Sequence, residues 1–280
     1  MLKSLFPELI KVSVDAGKAI LDVYNTDFSV EHKDDKSPLT KADLASHHII
    51  NDRLQELSVG TSTVPVLSEE SGTVPYETRR NWDTYWLIDP LDGTKEFVKK
   101  NGEFTVNIAL IKDGIPIAGF VYVPVTDLLY FGSEDSGAWQ LPDASACDPR
   151  EWESAAFALA PGTGDIDLPG SDVPPLKVVA SRSHLNEETQ QFISGLEKKY
   201  GLVERVSSGS SIKLCLVASG EADVYPRFAP TMEWDTAAAD AVCRAAGVAV
   251  IQAENRQPLC YNKENLLNPW FLVAKPGIDI

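Results

Sequence analysis

The stretch WLIDPLDGT, residues 86–94, carries the strongest structural signal in this chain. Its first residues are typical of a buried strand, and this strand is predicted to end at two aspartates, Asp89 and Asp92. Pro90 fixes the backbone between them, so both carboxylates can turn toward one point. The glycine and threonine that follow open a predicted short helix, TKEFV, whose free N–H groups can hold a phosphate oxygen. A turn needs only one aspartate, so the second one indicates a binding site.

Length and charge limit what the protein can be. At 280 residues the chain is long for one core, which predicts one large domain or two closely associated halves. Its 44% hydrophobic and 24% charged residues are typical of a soluble globular protein. The 41 acidic residues exceed the 25 basic ones, and the net charge of −16 repels nucleic-acid polymers and anionic membranes. We therefore expect neither as a partner, and an anionic substrate would need metal ions to attract it.

The cysteines and the start of the chain bear on its location. The four cysteines lie far apart and form no C-x-x-C pair, which argues against a zinc knuckle or redox motif and favours a reducing compartment. Residues 1–17 contain a proline and several charges where a signal peptide needs an unbroken apolar core. No apolar run approaches the roughly 18 to 20 residues of a membrane span. These features predict a cytoplasmic protein without a transmembrane segment. Loose association with the inner membrane face is an alternative that the negative charge disfavours.

Hydrophobic periodicity predicts an N-terminal α+β half, residues 1–140, and a C-terminal α/β half, residues 176–280. Between them, residues 141–175 are rich in proline, glycine and acids, so we expect a connection or insertion there. Three strands that follow residue 104 are predicted to form an antiparallel meander. The predicted helices span 2–24, 40–57, 187–199, 212–219 and 236–246, and the predicted strands span 64–67, 85–88, 105–111, 115–123, 128–131, 176–180, 202–206, 222–226 and 248–251.

Three groups of acidic residues stand at the ends of these predicted elements. Glu69-Glu70 can be a solvated loop entry. Asp89 and Asp92 can form a turn, and Asp235 can cap the helix that follows it. Together they offer the carboxylate oxygens that hard cations such as Mg²⁺ prefer. Two ions about 4 Å apart need at least one bridging carboxylate, and the paired aspartates can supply it.

Three motifs carry a resemblance to a known family: Glu69-Glu70, DPLDGT at 89–94 and WDTAA at 234–238. In this order, and across nearly the whole chain, they resemble the motifs of the lithium-sensitive, magnesium-dependent phosphomonoesterase superfamily that includes inositol monophosphatase. Inositol monophosphatases usually have Thr-Asn-Phe where this chain has Lys-Glu-Phe at 95–97, which favours the bacterial 3′(2′),5′-bisphosphate nucleotidases of the CysQ type. The resemblance implies a layered αβαβα sandwich of the inositol monophosphatase and fructose-1,6-bisphosphatase type.

The same resemblance implies two Mg²⁺ ions in the site and a third, weaker ion at Glu69. It implies that Thr94 and Asp43 orient and deprotonate the attacking water, with Glu69 as an alternative base. Asp43 also completes a capping-box pattern, T-x-x-D, before a predicted helix, and the two roles are compatible. The implied ligands are Glu69, Asp89 and the Leu91 carbonyl for the first ion, and Asp89, Asp92 and Asp235 for the second.

The resemblance also implies a substrate pocket with a nucleoside end. Arg227 and Lys213 suit a second phosphate chemically, Arg227 through its bidentate fork. Lys213 can instead be a helix-surface charge, and His184 an ordinary loop histidine. Lys36 can be a solvated lysine or part of a loop that closes over the phosphate. The implied nucleoside-end residues are Ser183, His184, Gly209, Ser210, Lys213 and Arg227, and the other substrate contacts are Glu69, Leu91, Asp92, Gly93, Thr94 and Asp235.

These expectations combine into one hypothesis, the Mg²⁺-dependent hydrolysis of adenosine 3′,5′-bisphosphate to AMP and phosphate by in-line attack of water. The 3′-phosphosulfate analogue is a second candidate substrate. An inositol or sugar phosphate phosphatase with the same metal site is one alternative, and a non-catalytic metal-binding protein of the same fold is another. The expected partner is a small-molecule bisphosphate nucleotide, and the protein is expected to be a monomer or a homodimer.

Overall fold

The computed structural model describes residues 2–26, 30–32, 38–72, 74–162, 174–180 and 186–280. Lys36, Ser183 and His184, which belong to the predicted substrate pocket and its loop, lie outside the described residues. Within the described ranges, no helix is both long and apolar enough to cross a membrane.

Apolar side chains at spacings of three and four form the helices, and runs of apolar residues form the strands. The described α-helices are α1 (Phe6–Tyr24), α2 (Lys41–Glu56), α3 (Tyr76–Arg79), α4 (Thr94–Val98), α5 (Trp152–Ala155), α6 (Glu187–Tyr200), α7 (Ile212–Ala218) and α8 (Glu233–Ala245). The described strands are β1 (Val30–His32), β2 (Pro38–Thr40), β3 (Ser58–Val59), β4 (Ser62–Thr63), β5 (Val66–Ser68), β6 (Thr84–Asp92), β7 (Thr105–Lys112), β8 (Ile115–Val123), β9 (Leu128–Ser133), β10 (Gly137–Leu141), β11 (Phe157–Ala158), β12 (Leu176–Ala180), β13 (Val203–Ser207), β14 (Val224–Arg227), β15 (Ala249–Gln252) and β16 (Phe271–Ala274).

Two sheets carry the architecture. The larger has seven strands in the order β11-β10-β9-β8-β7-β6-β5, with β5 and β6 parallel and the other neighbours antiparallel. The predicted meander over β7, β8 and β9 is therefore confirmed. The smaller sheet has five strands in the order β13-β12-β14-β16-β15. Two further pairs, β1 with β2 and β3 with β4, form separate two-stranded ribbons.

The layers alternate between helices and sheets. α1 and α2 pack on one face of the larger sheet, where β6 contributes Trp86 and Ile88. Tyr85 and Leu87 belong to the other face, against which α7 and α8 pack between the two sheets. α6 covers the far face of the smaller sheet with Ile193 in its core. This order of helix, sheet, helix, sheet and helix confirms the predicted αβαβα sandwich.

A glycine lets α8 lie directly against the larger sheet. A Cβ added to Gly119 of β8 would lie 2.0 Å from the carbonyl oxygen of Ala238 in α8. The two backbones can approach so closely only because no side chain separates them. This contact brings the first turn of α8, with Asp235, to the end of β6.

Several element boundaries differ from the predictions. β6 continues through Asp92, beyond the predicted end at residue 88, with a register shift between Asp89 and Asp92. The irregularity lets two side chains of one strand serve one site. α8 begins at Glu233 rather than at residue 236, so Asp235 lies within its first turn, and the alternative that Asp235 is the N-cap residue is wrong. Its carboxylate instead accepts a hydrogen bond of 2.8 Å from the Met232 N–H.

The middle of the chain was predicted as a connection over 141–175. In its described part, β11 pairs with β10 and so belongs to the edge of the larger sheet. One hydrophobic cluster joins residues of both sheets, including Leu87 of β6 and Val273 of β16. The division of the chain into two halves at this connection stays a prediction.

Candidate active site

Three carboxylates from distant parts of the chain meet at one edge of the larger sheet. Glu69 directly follows β5, Asp89 lies in β6, and Asp235 lies in the first turn of α8. One oxygen of each carboxylate lies within 4.8 Å of the others. Because β5 and β6 are parallel, their carboxyl ends share an edge, and α8 adds the third group from between the sheets.

The site concentrates negative charge away from water. Asp89 is 1% exposed, and burial together with the charges of Glu69 and Asp92 raises its pKa well above the ordinary 3.8. Burial and the charge of Asp92 likewise raise the pKa of Asp235. A cation at this point would relieve the repulsion, and all the donors are hard oxygens. The residues present therefore fit Mg²⁺.

Asp92 has a different environment from the other aspartates. Its Oδ2 accepts hydrogen bonds from the Ser210 hydroxyl at 2.5 Å and the Ser211 N–H at 2.7 Å, and the Ser211 hydroxyl lies 2.8 Å away. The group of oxygens within 4.8 Å of one another consists of Glu69, Asp89 and Asp235. The predicted role of Asp92 as a metal ligand stays a prediction.

The turn after Asp89 is held by local hydrogen bonds. The Leu91 N–H donates to Asp89 Oδ1 at 3.1 Å, and the Thr94 hydroxyl donates to the Leu91 carbonyl at 3.4 Å. Gly93 has φ of +93°, in the left-handed region, and a Cβ there would lie 3.1 Å from the Glu103 carbonyl oxygen. This glycine allows β6 to pass directly into α4, which begins at Thr94 as predicted.

α2 supports the same turn from the other face of the sheet. The Ser46 hydroxyl donates to the Pro90 carbonyl at 2.7 Å. Asp43 is buried in the first turn of α2, and its charge contributes to raising the pKa of Asp89. The Thr40 side chain, on which the predicted capping box depends, lies outside the described side chains. The structure thus brings Asp43 to the site, and its role there stays a prediction.

The carboxylates share one cavity with the basic residues. Lys213 is only 7% exposed, so the alternative of a helix-surface charge is wrong. Burial lowers its pKa to about 8, and its Nζ donates to the Ser210 carbonyl at 2.6 Å. Arg227 donates to the Pro230 carbonyl at 3.0 Å. The cavity has a volume of about 530 Å³, and the predicted residues that line it are Glu69, Asp89, Leu91, Asp92, Gly93, Thr94, Gly209, Ser210, Lys213, Arg227 and Asp235.

Comparison with known proteins agrees with this arrangement. The model of the inositol monophosphatase family matches residues 1–274. The chain belongs to the inositol monophosphatase family. The predicted family resemblance is confirmed, and the acidic cluster described above lies within the matched residues.

Several members of this family are similar to the chain over nearly its whole length. The 3′(2′),5′-bisphosphate nucleotidase CysQ of Escherichia coli K12 is 43% identical over 273 residues, which cover 96% of this chain and 99% of that protein. CysQ of Salmonella typhimurium is 41% identical over 272 residues, with the same coverage of 96% and 99%. These identities place the chain close to the nucleotidases within the inositol monophosphatase family.

Solved structures give the same result. The crystal structure of CysQ from Bacteroides thetaiotaomicron, a bacterial member of the inositol monophosphatase family, matches with a TM-score of 0.80 and 46% identity over 96% of each chain. The IMPase of Thermotoga maritima matches with a TM-score of 0.72 at 19% identity, over 99% of this chain and 93% of that one, and this similarity bears on the fold alone.

The cavity of this inositol monophosphatase family member also includes residues that were not predicted. Glu96 and Glu103 line its wall near Lys213, and their charges oppose the effect of burial on the Lys213 pKa. Tyr225 lies beneath the Lys213 ammonium, with its ring centre 5.8 Å from Nζ. Only Ser211 among them could have been singled out from the sequence, because the polar stretch GSS directly precedes a predicted helix. The remaining lining residues that were not predicted are Lys95, Lys99, Asn101, Ser208, Leu214, Thr231, Thr236 and Phe271.

Proposed function

We propose that this chain is a Mg²⁺-dependent 3′(2′),5′-bisphosphate nucleotidase that hydrolyses adenosine 3′,5′-bisphosphate to AMP and phosphate. One observation carries the proposal: a cluster of three carboxylates suited to cations and a buried lysine suited to anions line the same cavity. A substrate with two phosphates can use both ends at once. The similarity to several nucleotidases over nearly the full chain supports this choice.

The metal end rests on the oxygen donors. Glu69, Asp89, Asp92, Asp235 and the Leu91 carbonyl would hold two Mg²⁺ ions, and Glu69 would hold a third, weaker one. When bound, Mg²⁺ lowers the pKa of a water molecule and neutralises charge on the phosphoryl oxygens during in-line displacement. The raised pKa of Asp89 supports this assignment, because the buried carboxylates repel one another until a cation joins them.

The protein's own residues would then orient the reaction. The Thr94 hydroxyl, already directed at the Leu91 carbonyl, would orient the attacking water. Asp43 or Glu69 would take its proton as the new P–O bond forms and the bond from phosphorus to the ribose 3′ oxygen breaks. The leaving ribose oxygen would take its proton from a second water molecule on the Asp235 side of the cavity. The 3′-phosphosulfate analogue carries the same 3′ phosphate and would react in the same way.

The second phosphate would be bound by Lys213 and Arg227. Lys213 presents a desolvated ammonium, and a desolvated charge attracts an anion more strongly than a solvated one does. Arg227 can offer a bidentate fork to phosphate oxygens. Ser210 and Gly209 would contribute to the nucleoside end, as would Ser183 and His184. A cytoplasmic location and a monomeric or homodimeric state stay predictions.

Phosphate release from four substrates in parallel tests the proposal. Adenosine 3′,5′-bisphosphate, inositol 1-phosphate, fructose 1,6-bisphosphate and AMP would be offered with Mg²⁺ and with EDTA. We expect release from the bisphosphate nucleotide only with Mg²⁺, and a large increase of its KM in Lys213→Met, which keeps the length of the side chain and removes its charge. Preference for inositol 1-phosphate would refute the nucleotidase assignment. Mg²⁺ binding without release from any of the four would favour a non-catalytic protein.

A further inference from the structure

Two polar residues interrupt the otherwise apolar strand β7. Thr105 and Asn107 are 0% and 1% exposed, and they lie on the same face of the strand because side chains alternate. In the ladder with β6, Thr105 is opposite Asp92 and Asn107 is opposite Asp89. Buried polar side chains require partners, so this placement beside the acidic site calls for an explanation.

Both residues contact the serines that hold Asp92. Thr105 Oγ1 lies 2.6 Å from the Ser210 hydroxyl, and Asn107 Nδ2 donates to the Ser211 hydroxyl at 2.9 Å. The two serines in turn donate to Asp92 Oδ2. A continuous chain of hydrogen bonds thus runs from β7 through the start of α7 to the end of β6. We call Ser210 and Ser211 together the serine clamp.

Ser211 links the two acidic segments of the site. Its hydroxyl accepts the hydrogen bond of Asn107, so its single hydrogen is left for Asp92 Oδ2 at 2.8 Å or the Asp235 carbonyl at 2.6 Å. Ser211 is 2% exposed, which strengthens these bonds. One hydroxyl group therefore lies between the segment that carries Asp92 and the segment that carries Asp235.

The backbone of the clamp is strained. Ser210 has φ of +50°, in the left-handed region that residues with a Cβ rarely occupy. Such a conformation is energetically unfavourable and persists where surrounding contacts over-determine it. Here those contacts are the bonds of the Ser210 side chain to Asp92 and Thr105 and the bond of Lys213 to its carbonyl. Strain retained at this point indicates a functional constraint on the position of the serines.

We propose that the serine clamp, oriented by Thr105 and Asn107, holds Asp92 so that only Oδ1 can meet a cation, and that this makes the site selective for Mg²⁺ over Ca²⁺. The proposal rests on the metal site of the proposed function. Mg²⁺ requires near-octahedral geometry and is bound through one or two carboxylates, whereas Ca²⁺ readily accepts bidentate carboxylates and irregular geometry. Oδ2 of Asp92 already accepts from the Ser210 hydroxyl and the Ser211 N–H, with the Ser211 hydroxyl 2.8 Å away, so it cannot join a bidentate ligand without breaking these hydrogen bonds. Ser210, Ser211, Thr105 and Asn107 are thus positioning residues.

Metal titrations of the substrate-free protein test this proposal. The full chain, freed of metal with EDTA, would be titrated with MgCl₂ or CaCl₂ while its melting temperature is recorded. In Ser211→Ala the Mg²⁺ concentration at half-saturation should rise about tenfold, the effect typical of losing a partner that orients a metal ligand. The Ca²⁺ value should stay or fall, because Oδ2 then keeps only the Ser210 hydroxyl and the N–H of residue 211 as donors and can join a bidentate ligand more easily. In the double variant S210A/S211A, the ratio of the Mg²⁺ to the Ca²⁺ concentration at half-saturation should rise further than in S211A.

Two further variants separate positioning from general damage. Ser133→Ala removes another fully buried serine hydroxyl that donates to a carboxylate, that of Asp135 at 3.0 Å, and should leave both metal constants unchanged. Asn107→Leu removes the donor to Ser211 without touching Asp92 and should weaken Mg²⁺ binding less than S211A does. Wild-type metal constants in N107L would overturn the role of Asn107.

The outcomes distinguish this proposal from the proposed function. Equal weakening of Mg²⁺ and Ca²⁺ in S211A, or no change in either, would overturn the selectivity mechanism while leaving the metal site intact. Absence of any Mg²⁺-dependent increase in the melting temperature of the unchanged chain would overturn the metal site, and the clamp's role with it. A variant that is merely less stable in EDTA would not give the expected result, because lower stability changes the Mg²⁺ and Ca²⁺ titrations equally and leaves the ratio of their half-saturation concentrations unchanged.

Discussion

At the scale of single residues, Asp89 illustrates how function opposes stability. It is buried among other carboxylates, and its folded-state pKa is raised well above 3.8. Below the ordinary pKa, the carboxyl is protonated in both the folded and the unfolded protein, so its ionisation does not change the free energy of unfolding. As the pH rises toward the folded-state pKa, only the unfolded state ionises freely, and the metal-free protein loses stability. At neutral pH this residue therefore destabilises the fold unless a cation is bound.

The substitution Asp89→Asn should therefore stabilise the metal-free protein and abolish turnover. The amide oxygen can still accept the Leu91 N–H, and the amide nitrogen can donate to the neighbouring carboxylates of Glu69 or Asp235. We expect the free energy of unfolding in EDTA to rise at pH 7.5, because the neutral amide removes the repulsion between residue 89 and the surrounding carboxylates. Thermal unfolding with EDTA and with Mg²⁺ measures both the gain and the loss of the metal effect.

Asp240→Asn is the matched control, with the opposite sign. Asp240 is equally buried in α8 but pairs with Arg244 Nε at 2.7 Å and with the Tyr261 hydroxyl at 2.8 Å. Loss of its charge leaves Arg244 unpaired and should lower the free energy of unfolding by about 2 kcal/mol, below the range for fully buried pairs because Arg244 is partly exposed. If D89N also lowered stability in EDTA, repulsion among the carboxylates would be the wrong account of the site.

Lys213 should make substrate binding depend on pH. Its pKa of about 8 means that its positive charge is present below this pH and is lost above it. Between pH 8 and pH 9 the charged fraction falls, so KM for adenosine 3′,5′-bisphosphate should rise several-fold, up to about tenfold per pH unit. Lys213→Arg keeps its charge through this range and should remove the dependence. The same rise of KM in both proteins would assign the titration to another group.

At the scale of elements, one face of α2 organises both acidic turns. Asp43, Ser46 and His47 lie at spacings of three and four, so they share a face of the helix. The Ser46 hydroxyl donates to the Pro90 carbonyl at 2.7 Å, and His47 Nδ1 lies 2.9 Å from the hydroxyl of Ser68, next to Glu69. The helix thus fixes the turn after β5 and the turn within β6 relative to each other.

Ser46→Ala tests this function of α2. The Pro90 carbonyl would lose a buried donor, which costs about 1–3 kcal/mol, and the turn that carries Asp89 would lose one of its supports. We expect a lower melting temperature and a lower kcat for phosphate release. Ser154→Ala is the control. Its hydroxyl is exposed, lies outside the site and donates to the Glu151 carbonyl at 2.8 Å, so its removal should have little effect on either quantity. Unchanged kcat in S46A would mean that α2 supports the fold but not the site.

The sequence predicted elements with strong local patterns and missed those that depend on distant partners. The long helices, the meander and α4 follow from periodicity and turn residues. β16 was not predicted, because it pairs with β15 only across the long segment 253–270 and with β14 from still farther along the chain. β11 consists of two residues and exists only by pairing with β10. Such short strands carry no periodic signal of their own.

The site shows the same limit. The acidic motifs could be predicted from the sequence, since the three groups of carboxylates, taken together, suit a hard cation better than they suit separate turns and caps. The burial of Lys213 could not, because it depends on α7 lying between the two sheets. Ser211 at the start of a helix is typical of a cap, yet its hydroxyl lies within hydrogen-bond distance of Asp92 Oδ2 and the Asp235 carbonyl. Thr105 and Asn107 in β7 were a signal, two polar residues at alternate positions of an apolar strand, whose meaning required the ladder with β6.

At the scale of the whole molecule, the site depends on how the inner helix layer is seated. Glu69 and Asp89 belong to the larger sheet, while Asp235 belongs to α8 between the sheets. The oxygens of these three residues stay within 4.8 Å only if α8 keeps its distance from the sheet. Gly119 determines this distance, because its missing side chain leaves room for the backbone of α8. A residue on β8 with no functional group should therefore influence metal binding.

Gly119→Ala makes this influence measurable. Its Cβ would lie 2.0 Å from the Ala238 carbonyl oxygen and 2.8 Å from the Ala241 Cβ, so the helix backbone must move outward. We expect a loss of about 3 kcal/mol or more in the free energy of unfolding, as for other overpacked cores, and a higher Mg²⁺ concentration at half-saturation.

Gly195→Ala is the matched control: this glycine lies within α6 with nothing within 4 Å of the added Cβ. Because alanine favours helices, it should stabilise the fold by about 0.5–1 kcal/mol and leave Mg²⁺ binding unchanged. Wild-type Mg²⁺ binding in a destabilised G119A would show that the acidic site adjusts independently of α8, and equal stability of the two variants would contradict the close approach of α8 to the larger sheet.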